Sequence, residues 1–327
     1  MFYFVTPDLE NISGGNKYDL NIINYLKSRK IALQNIVIDM HCLNIGSFLK
    51  LLRLPHNSTL IIDGLIAYKL LFMMKKLSSR YKVIILIHHP VCYEYDKNGS
   101  ICEKLKERKI YSAAHKIITV SKTMSLVVKK ILNRNIKINI VYPAVDDIYH
   151  EKKYLNNNQN YKLISVGSII PRKNIHNMIE TLNLLENKWT LSFIGSFKTD
   201  YVYFEKIKKL IQKYSLEQRV TFYGNIYDEQ KLIELYNKSK AYICLSNYEG
   251  FGMSNLESAI FGLPLIISDL PIFRETLFCH NRYYVNQNDP HDVVKYINKL
   301  DKLQNQKSML GIRWSDSGKK FLKHINE

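Results

Sequence analysis

The sequence has few of the patterns that mark several large classes of protein. Its five cysteines are odd in number and scattered, with no Cys-x-x-Cys pair. That usage is unlike a disulfide framework and favours a reducing cytoplasm. No uninterrupted apolar run approaches the ~20 residues of a membrane-spanning helix. Residues 1–5 lack the basic n-region and long apolar h-region of a signal peptide, so we expect a cytoplasmic protein.

Negative charge is also scarce. The chain has 47 Lys and Arg against 29 Asp and Glu, a formal net charge of +18. Such an excess attracts nucleic acid, anionic lipid or phosphorylated small molecules. Because the lysines are dispersed and no recognised nucleic-acid module is present, we expect no nucleic-acid partner. Alternatively, a biased nucleotide composition of the source inflates the lysine content without functional meaning.

The length and the order of predicted elements indicate two α/β domains. A chain of 327 residues is long for one core, and a hydrophobic content of 46% is typical of globular proteins. Strand and helix patterns alternate along the whole chain, which predicts parallel, doubly wound sheets. We predict domains at 1–148 and 149–311 and a final helix in 312–327. The asparagine-rich run 156–160 is predicted to be a linker.

One stretch combines a strand, a glycine loop and a helix. Apolar residues 241–245 predict a buried parallel strand, and residues 253–261 predict a helix that Gly262 ends. Ligands of open α/β sheets bind beyond the carboxyl ends of strands, where helix N-termini offer bare N–H groups. A ligand site is therefore predicted in the loop between them.

The side chains of this loop suit a phosphorylated sugar. Gly250 and Gly252 let the backbone approach a ligand closely, and the helix start favours an anion. Glu249 and Glu257 can only accept hydrogen bonds, which suits hydroxyls of a sugar or ribose. The alternative is a capping box, in which Ser254 and Glu257 only stabilise the helix start.

A second basic loop follows the predicted strand 162–166. Arg172 and Lys173 come directly after Pro171 and before an apolar helix. Paired cations at such a position can neutralise a departing diphosphate. A solvated basic turn is the alternative in so lysine-rich a chain.

His88 ends the predicted strand 82–88, where a polar side chain can bond a ligand hydroxyl. The alternative is a surface or capping histidine. His89 and Cys92 are close in sequence, but adjacent ligands, a proline between them and no partner motif argue against zinc.

The N-terminal strand 2–6 leads to a Gly14–Gly15 turn and a predicted helix at 17–29. Strand, glycine turn and helix are typical of nucleotide-binding domains, but a tight βα turn explains the glycines equally well. The residues of this helix predicted to face the core are Leu20, Ile23 and Leu26.

Two of these motifs together resemble a known family. The Glu-x7-Glu spacing from Glu249 to Glu257, containing Glu-Gly-Phe-Gly, is similar to the signature of the family 4 retaining glycosyltransferases. Residues 166–174 resemble that family's diphosphate-binding turn. The resemblance implies the GT-B fold, in which two Rossmann-like domains face each other across a cleft and the final helix crosses back to the first domain. Ser168 and Ala144 depart from the family, which often has Arg and usually Gly there.

The resemblance also implies roles for individual residues. His88 and Glu249 are the implied catalytic residues, both in contact with the donor sugar, and Glu257 would hold the ribose. The implied donor-binding residues are Gly14, Gly15, Arg172, Lys173, Glu249, Gly250, Phe251, Gly252, Met253 and Glu257.

The implied reaction transfers a hexose from a nucleoside diphosphate sugar to a saccharide or lipid-linked acceptor, with retention at the anomeric carbon. The resemblance extends to a mannosyltransferase-like subgroup of the family, and it implies a role in surface polysaccharide or lipopolysaccharide synthesis. No Asp-x-Asp clamp occurs in the sequence, so we expect no metal and no bound cofactor. The alternatives are a sugar-nucleotide epimerase of the same fold and a basic nucleic-acid-binding protein.

Two lysine-rich segments of the first half are candidates for binding the protein to a membrane surface. Residues 67–77 form an apolar helix with lysines, and residues 104–109 form a basic patch. The first is a helix that covers the sheet or one that lies on an anionic membrane with Phe72 and Leu71 at the interface. The membrane interpretation predicts peripheral binding at the inner face of the membrane.

Overall fold

The computed structural model describes residues 1–10, 13–39, 45–94, 100–133, 136–151, 161–277, 282–300 and 311–327. The chain forms two compact units. Unit 1 comprises Met1–Ala144 and Ile312–Glu327, and unit 2 comprises Val145–Gly311. The units divide after Ala144, whereas the sequence analysis placed the boundary after residue 148. The predicted linker at 156–160 lies outside the described residues.

Unit 1 is built on a six-stranded parallel sheet. Its central strands are apolar on both faces because helices cover both sides, as parallel sheets require. The strand order is β2-β1-β3-β4-β5-β6. The strands are β1 (Phe2–Thr6), β2 (Leu33–Val37), β3 (Thr59–Asp63), β4 (Lys82–Ile87), β5 (Lys116–Thr119) and β6 (Asn139–Ile140).

The helices of unit 1 alternate with these strands in sequence, except for one helix that comes from the C-terminal segment. A 3-10 turn also occurs at Val91–Tyr93. The helices are α1 (Gly14–Ser28), α2 (Ile45–Leu52), α3 (Gly64–Lys69), α4 (Met74–Ser78), α5 (Ile101–Ala113), α6 (Lys122–Leu132) and α14 (Trp314–Asn326).

Unit 2 has a second six-stranded parallel sheet, with strand order β12-β11-β10-β7-β8-β9. The strands are β7 (Lys162–Val166), β8 (Thr190–Ile194), β9 (Val220–Phe222), β10 (Ala241–Cys244), β11 (Leu265–Ser268) and β12 (Arg282–Val285). The predicted alternation of strands and helices is confirmed in both units.

Several helices of unit 2 pack their apolar faces against this sheet. A 3-10 turn at Pro171–Lys173 precedes one of them. The helices are α7 (Asp147–Glu151), α8 (Ile175–Leu184), α9 (Tyr201–Lys213), α10 (Glu229–Asn237), α11 (Met253–Phe261), α12 (Pro271–Thr276) and α13 (Pro290–Ile297).

Two predictions about unit 1 helices are wrong in detail. The predicted helix 67–77 is two short helices, α3 and α4, separated by a turn at 70–73. The break lets Leu70 and Met74 both face the core while Phe72 points into solvent, 91% exposed. In α1, Leu20 is exposed rather than inward, and the buried neighbour is Asp19, which is paired with a histidine.

Within the described ranges, no helix combines the length and the apolar character needed to span a bilayer.

Candidate active site

Each sheet has one point at which its strand order reverses. In unit 2 the reversal lies between β7 and β10, and in unit 1 it lies between β1 and β3. Chains leave such neighbouring strands in opposite directions, which opens a crevice at their carboxyl ends where ligands of doubly wound sheets bind. Both units place charged side chains at these points.

In unit 2, the loop after β7 directs Lys173 toward the reversal point. Gly167 has a φ of +149°, and a Cβ there would lie 3.0 Å from Cε of Lys173. A side chain at this position would therefore strain the backbone and press on the lysine stem. Asn174, in the left-handed conformation with φ 56°, ends the short 3-10 turn and starts α8. The basic residues are thus held by backbone geometry.

The loop after β10 brings Glu249 against those cations. Oε1 of Glu249 lies 2.6 Å from Nζ of Lys173, and Oε2 lies 3.2 Å from Nη1 of Arg172. The hydroxyl of Ser246 donates to Oε1 at 2.7 Å. Nη1 of Arg172 also donates to the carbonyl of Tyr248 at 2.8 Å. We call Glu249, Lys173 and Arg172 the Glu249 cluster.

This cluster keeps its carboxylate ionised. Burial alone would raise the pKa of Glu249, but the charges of Lys173 and then Arg172 outweigh burial and lower that pKa to about 2. Two cations face one carboxylate, so the cluster carries a surplus positive charge at neutral pH. It can receive an anion, and the carboxylate cannot act as a proton donor there.

The start of α11 differs from the predicted capping box. The N-cap residue is Gly252, with φ +87°, and no side chain caps the helix. A Cβ on Gly252 would lie 2.6 Å from Cε1 of Phe273, so glycine is required for both reasons. The Ser254 hydroxyl instead bonds the carbonyl of Val166 at 3.1 Å and the hydroxyl of Tyr242 at 2.8 Å. The capping-box alternative is wrong.

Glu257 lies one turn into α11 and is buried, with a relative exposure of 6%. Its charge is felt by a nearby phenol: burial, and then the Glu257 carboxylate, raise the pKa of Tyr149. The remaining predicted donor residues of this loop, Gly250, Phe251 and Met253, surround the helix start, and Phe251 is buried. Their contact with a donor stays a prediction.

In unit 1, His88 follows β4 and reaches the strand reversal. Its Nε2 lies 2.9 Å from Oδ1 of Asp19 and 3.4 Å from Oδ2 of Asp63. Asp63 ends β3, and its Oδ1 accepts the N–H groups of Leu65 and Ile66 as the N-cap of α3. We call His88, Asp19 and Asp63 the His88 cluster.

The charge balance of the His88 cluster is the reverse of that in unit 2. Burial raises the pKa of Asp19 to about 6, although His88 acts in the opposite direction. Burial also raises the pKa of Asp63. Burial opposes the charged imidazolium, but the Asp19 carboxylate outweighs that penalty, so the pKa of His88 is raised.

The predicted residues Gly15 and His88 are brought together in this unit. A Cβ on Gly15 would lie 3.2 Å from Cδ2 of His88, so the imidazole packs on the backbone of the first turn of α1. Both Gly14 and Gly15 belong to that helical turn, which Ser13 caps by accepting the Asn16 N–H at 3.0 Å. The helix begins three residues before its predicted start at residue 17.

The nitrogen and oxygen atoms of the His88 cluster that could bind a metal ion lie within 4.8 Å of one another, which is close enough for all three residues to hold one ion. The direct 2.9 Å hydrogen bond occupies the histidine nitrogen that a metal would need. We therefore interpret the group as a hydrogen-bonded cluster. The absence of a metal requirement stays a prediction.

Comparison with protein families identifies the chain. Residues 146–314, more than half of the sequence, match the family model of the group 1 glycosyl transferases. The chain belongs to the group 1 glycosyl transferases. The match covers the region that contains the whole Glu249 cluster.

Two similar proteins are mannosyltransferases by name. The O-antigen chain mannosyltransferase RfbU of Salmonella typhimurium is 29% identical over 57% of this chain and 51% of that protein. The serotype-specific mannosyltransferase WbdA of Escherichia coli is 30% identical over 50% of this chain and 20% of that protein. The chain thus spans about half the length of the first relative and a fifth of the second.

Solved structures of other proteins share the fold. Sucrose-phosphate synthase of Thermosynechococcus elongatus has a TM-score of 0.77 at 14% identity, covering 100% of this chain and 94% of that one. HepE of Anabaena, in complex with UDP and glucose, has a TM-score of 0.75 at 13% identity and covers 100% of both chains. The predicted GT-B fold of two Rossmann-like domains is confirmed.

Three residues of these sites were missed by the sequence analysis: Asp19, Asp63 and Ser246. For Asp63 a signal was present, since it ends a strand next to the strand that ends at His88. For Asp19 the signal was an acidic residue among the apolar positions of α1. Ser246 lies three residues before Glu249 and offered no pattern of its own.

Proposed function

We propose that this group 1 glycosyl transferase moves a hexose from a nucleoside diphosphate sugar to a hydroxyl of a saccharide or lipid-linked acceptor. The observation that carries the proposal is the Glu249 cluster: a buried carboxylate and two cations with surplus positive charge, at the strand reversal where nucleotides bind. Membership of the family supports it.

The cluster provides a way to accept the donor. Lys173 and Arg172 are balanced in part by Glu249 before any ligand arrives, so the arriving diphosphate exchanges for that carboxylate. The two cations then neutralise the charge that develops on the leaving diphosphate. Glu249, released from Lys173, offers a carboxylate oxygen that can accept a hydrogen bond from a hydroxyl of the donor sugar.

We propose retention at the anomeric carbon without a metal. The bond from that carbon to the diphosphate oxygen breaks while the bond to the acceptor oxygen forms on the same face, and the acceptor proton passes to the leaving phosphate. This route needs no protein nucleophile. It is supported by the two cations, Lys173 and Arg172, which are positioned together for the leaving group.

The proposed class of product is a bacterial surface polysaccharide or glycoconjugate. The names of RfbU and WbdA, both mannosyltransferases, support mannose as the transferred hexose. The HepE complex with UDP and glucose shows that a protein of this fold holds a uridine nucleotide, so UDP and GDP sugars both belong in a test.

The test is a thermal-shift panel of nucleoside diphosphates and their hexose derivatives, followed by a transfer assay with the stabilising donor. We expect one nucleotide class to raise Tm, and product to form only with a saccharide acceptor. A changed nucleotide sugar without acceptor would support an epimerase instead. Salt-sensitive binding to DNA without any nucleotide response would support the nucleic-acid alternative.

We further propose that unit 1 binds an anionic membrane surface. Phe72 lies in the turn between α3 and α4 and is 91% exposed. Lys69, Lys75 and Lys76 are exposed on the two helices beside it. α5 packs against both helices and adds exposed Ile101 and Leu105. Aromatic and basic side chains in this arrangement suit an interface of anionic lipid.

Flotation with vesicles that contain phosphatidylglycerol tests this surface. Replacing Lys69, Lys75 and Lys76 together by Ser should reduce binding, since each basic residue near such a surface contributes about 1 kcal/mol at low salt. Phe72→Ser should weaken binding even at low salt, because an inserted ring is lost. Val202→Ser in unit 2, 68% exposed, is the matched control. No association at any ionic strength would refute the proposal.

A further inference from the structure

The His88 cluster contains more negative charge than a single histidine needs. Asp19 is fully buried and Asp63 nearly so, yet both carboxylates point to the same Nε2. Oδ2 of Asp19 has no hydrogen-bond partner among the described residues. Buried carboxylates are costly unless paired, so two at one imidazole are not accounted for by packing.

The ring of His88 is fixed on its other sides as well. Tyr18 packs edge-on against it, with ring centroids 5.2 Å apart, and donates its hydroxyl to the carbonyl of Val141 at 3.1 Å. Trp314 packs edge-on against Tyr18. The backbone of Gly15 lies against Cδ2. Rotation of the imidazole is therefore restricted.

The opposite nitrogen is left available. No hydrogen bond to Nδ1 of His88 comes from the residues that the structure describes, and the side chain is 15% exposed. With Nε2–H bonded to the two carboxylates, the histidine takes up a second proton only at Nδ1. The charged groups that face it are Asp19 from α1 and Asp63 from the end of β3, with Tyr18 as a neutral phenol and His89 beyond Asp63.

We infer that Asp19 and Asp63 are positioning residues that keep His88 as an imidazolium with Nε2 inward, so that Nδ1–H is the group donated to a sugar hydroxyl oxygen. The inference rests on the proposed function, because the sugar is a substrate of that reaction. The two carboxylates compensate the charge of His88, so the outward N–H is suited to a neutral hydroxyl rather than to a phosphate.

The first test measures His88 without any substrate. Long-range ¹H–¹⁵N spectra of the imidazoles, with His88→Gln to assign the signals, give its protonation state and pKa. We expect an imidazolium at pH 7 in the wild type and a pKa lower by about 1 or more in Asp19→Asn. An unchanged pKa in that variant overturns the inference, whether or not transferase activity has been found.

A neighbouring pair supplies the control. Nε2 of His89 lies 2.7 Å from Oε2 of Glu94, and both side chains are 24% exposed. Glu94→Gln makes the same change from carboxylate to amide at a solvated histidine, and it should leave the signals of His88 in place. If Asp19→Asn does not fold, Asp63→Asn replaces it, since the amide keeps the Oδ1 acceptor that caps α3.

The second test separates positioning from structure by pH. Activity that needs the imidazolium falls as pH rises through the pKa of His88. In Asp19→Asn this fall should move to lower pH, so the deficit in kcat is about tenfold or more at pH 8 and shrinks at pH 6. A deficit that is equal at both pH values indicates general damage and overturns the inference. Loss of the inward Nε2–H signal on adding stoichiometric Zn²⁺ would also overturn it.

Discussion

Each unit has a cluster of charged side chains at the same position in its sheet, but the surplus charges of the two clusters have opposite signs. In unit 2, one carboxylate meets two cations, and the pKa of Glu249 falls to about 2. In unit 1, two carboxylates meet one histidine, and the pKa of Asp19 rises to about 6. Both clusters lie where the strand order reverses. The sign of the surplus charge therefore distinguishes the proposed site for a diphosphate in unit 2 from the proposed site for uncharged hydroxyls in unit 1.

The largest expected effect comes from removing one cation of unit 2. Lys173→Ala should lower kcat/KM with the donor by a factor of 10²–10³, because the leaving diphosphate loses a partner worth roughly 2–4 kcal/mol. The same change removes the nearest positive charge from Glu249 and should raise its pKa. Steady-state kinetics and nucleotide titration calorimetry measure both the rate and the affinity.

Lys188→Ala is the control for that substitution, since Lys188 pairs with Glu186 at 3.0 Å on the surface. Arg172→Ala should cause a smaller loss, because Arg172 lies farther from the carboxylate than Lys173 does. Donor affinity and rate that stay at wild-type values in Lys173→Ala would remove Lys173 from the proposed site.

The opposite pKa shifts predict opposite responses to acid. The folded pKa of Glu249 lies below its ordinary value of 4.5, so its stabilisation is present above that value and is lost as pH falls toward 2. The folded pKa of Asp19 lies above its ordinary value of 3.8, so the fold gains stability as pH falls from about 6 toward 3.8.

The stabilities of two variants, measured as a function of pH, test this contrast. Glu249→Gln should cost about 2–3 kcal/mol at pH 7, and the cost should shrink below pH 4. Asp19→Asn should be more stable relative to the wild type at pH 7 than at pH 4. Hydrogen exchange of amides within each unit follows the two units separately. Parallel pH responses of the two variants would contradict the assigned charge balance.

The smallest expected effect concerns Glu257, which lies outside the Glu249 cluster. Glu257→Gln should weaken nucleoside diphosphate binding about tenfold, as expected for the loss of one charged hydrogen bond to ribose, with little change in Tm. Glu234→Gln on the exposed face of α10 is the control. Lower Tm with unchanged affinity would show that the buried carboxylate serves the fold alone.

The sequence predicted the parts of the molecule that depend on local pattern. Buried strands were visible as apolar runs, and the glycines and charged residues beside Glu249 were visible as a motif. The pairing of Glu249 with Lys173 was not predicted, because these residues are far apart in sequence and each motif was interpreted for a different part of the donor, the sugar and the diphosphate. The burial of Asp19 was not predicted, because helix periodicity ranks residues by hydrophobicity, whereas this carboxylate is paired with His88, which follows β4.

Unit 1 is formed by two separate segments of the chain, which has a consequence for the order of folding during synthesis. The core of unit 1 is completed by α14, where the ring of Phe321 stacks on that of Phe4. Gly318 of the same helix lies so close to the ring of Tyr25 that a Cβ on Gly318 would have no room. Unit 2 is continuous in sequence, and all of it is synthesised before α14. Domains usually fold in the order of their synthesis. Here the unit that starts first finishes last, so the apolar surface around Phe4 and Tyr25 waits uncovered while the whole second unit is translated.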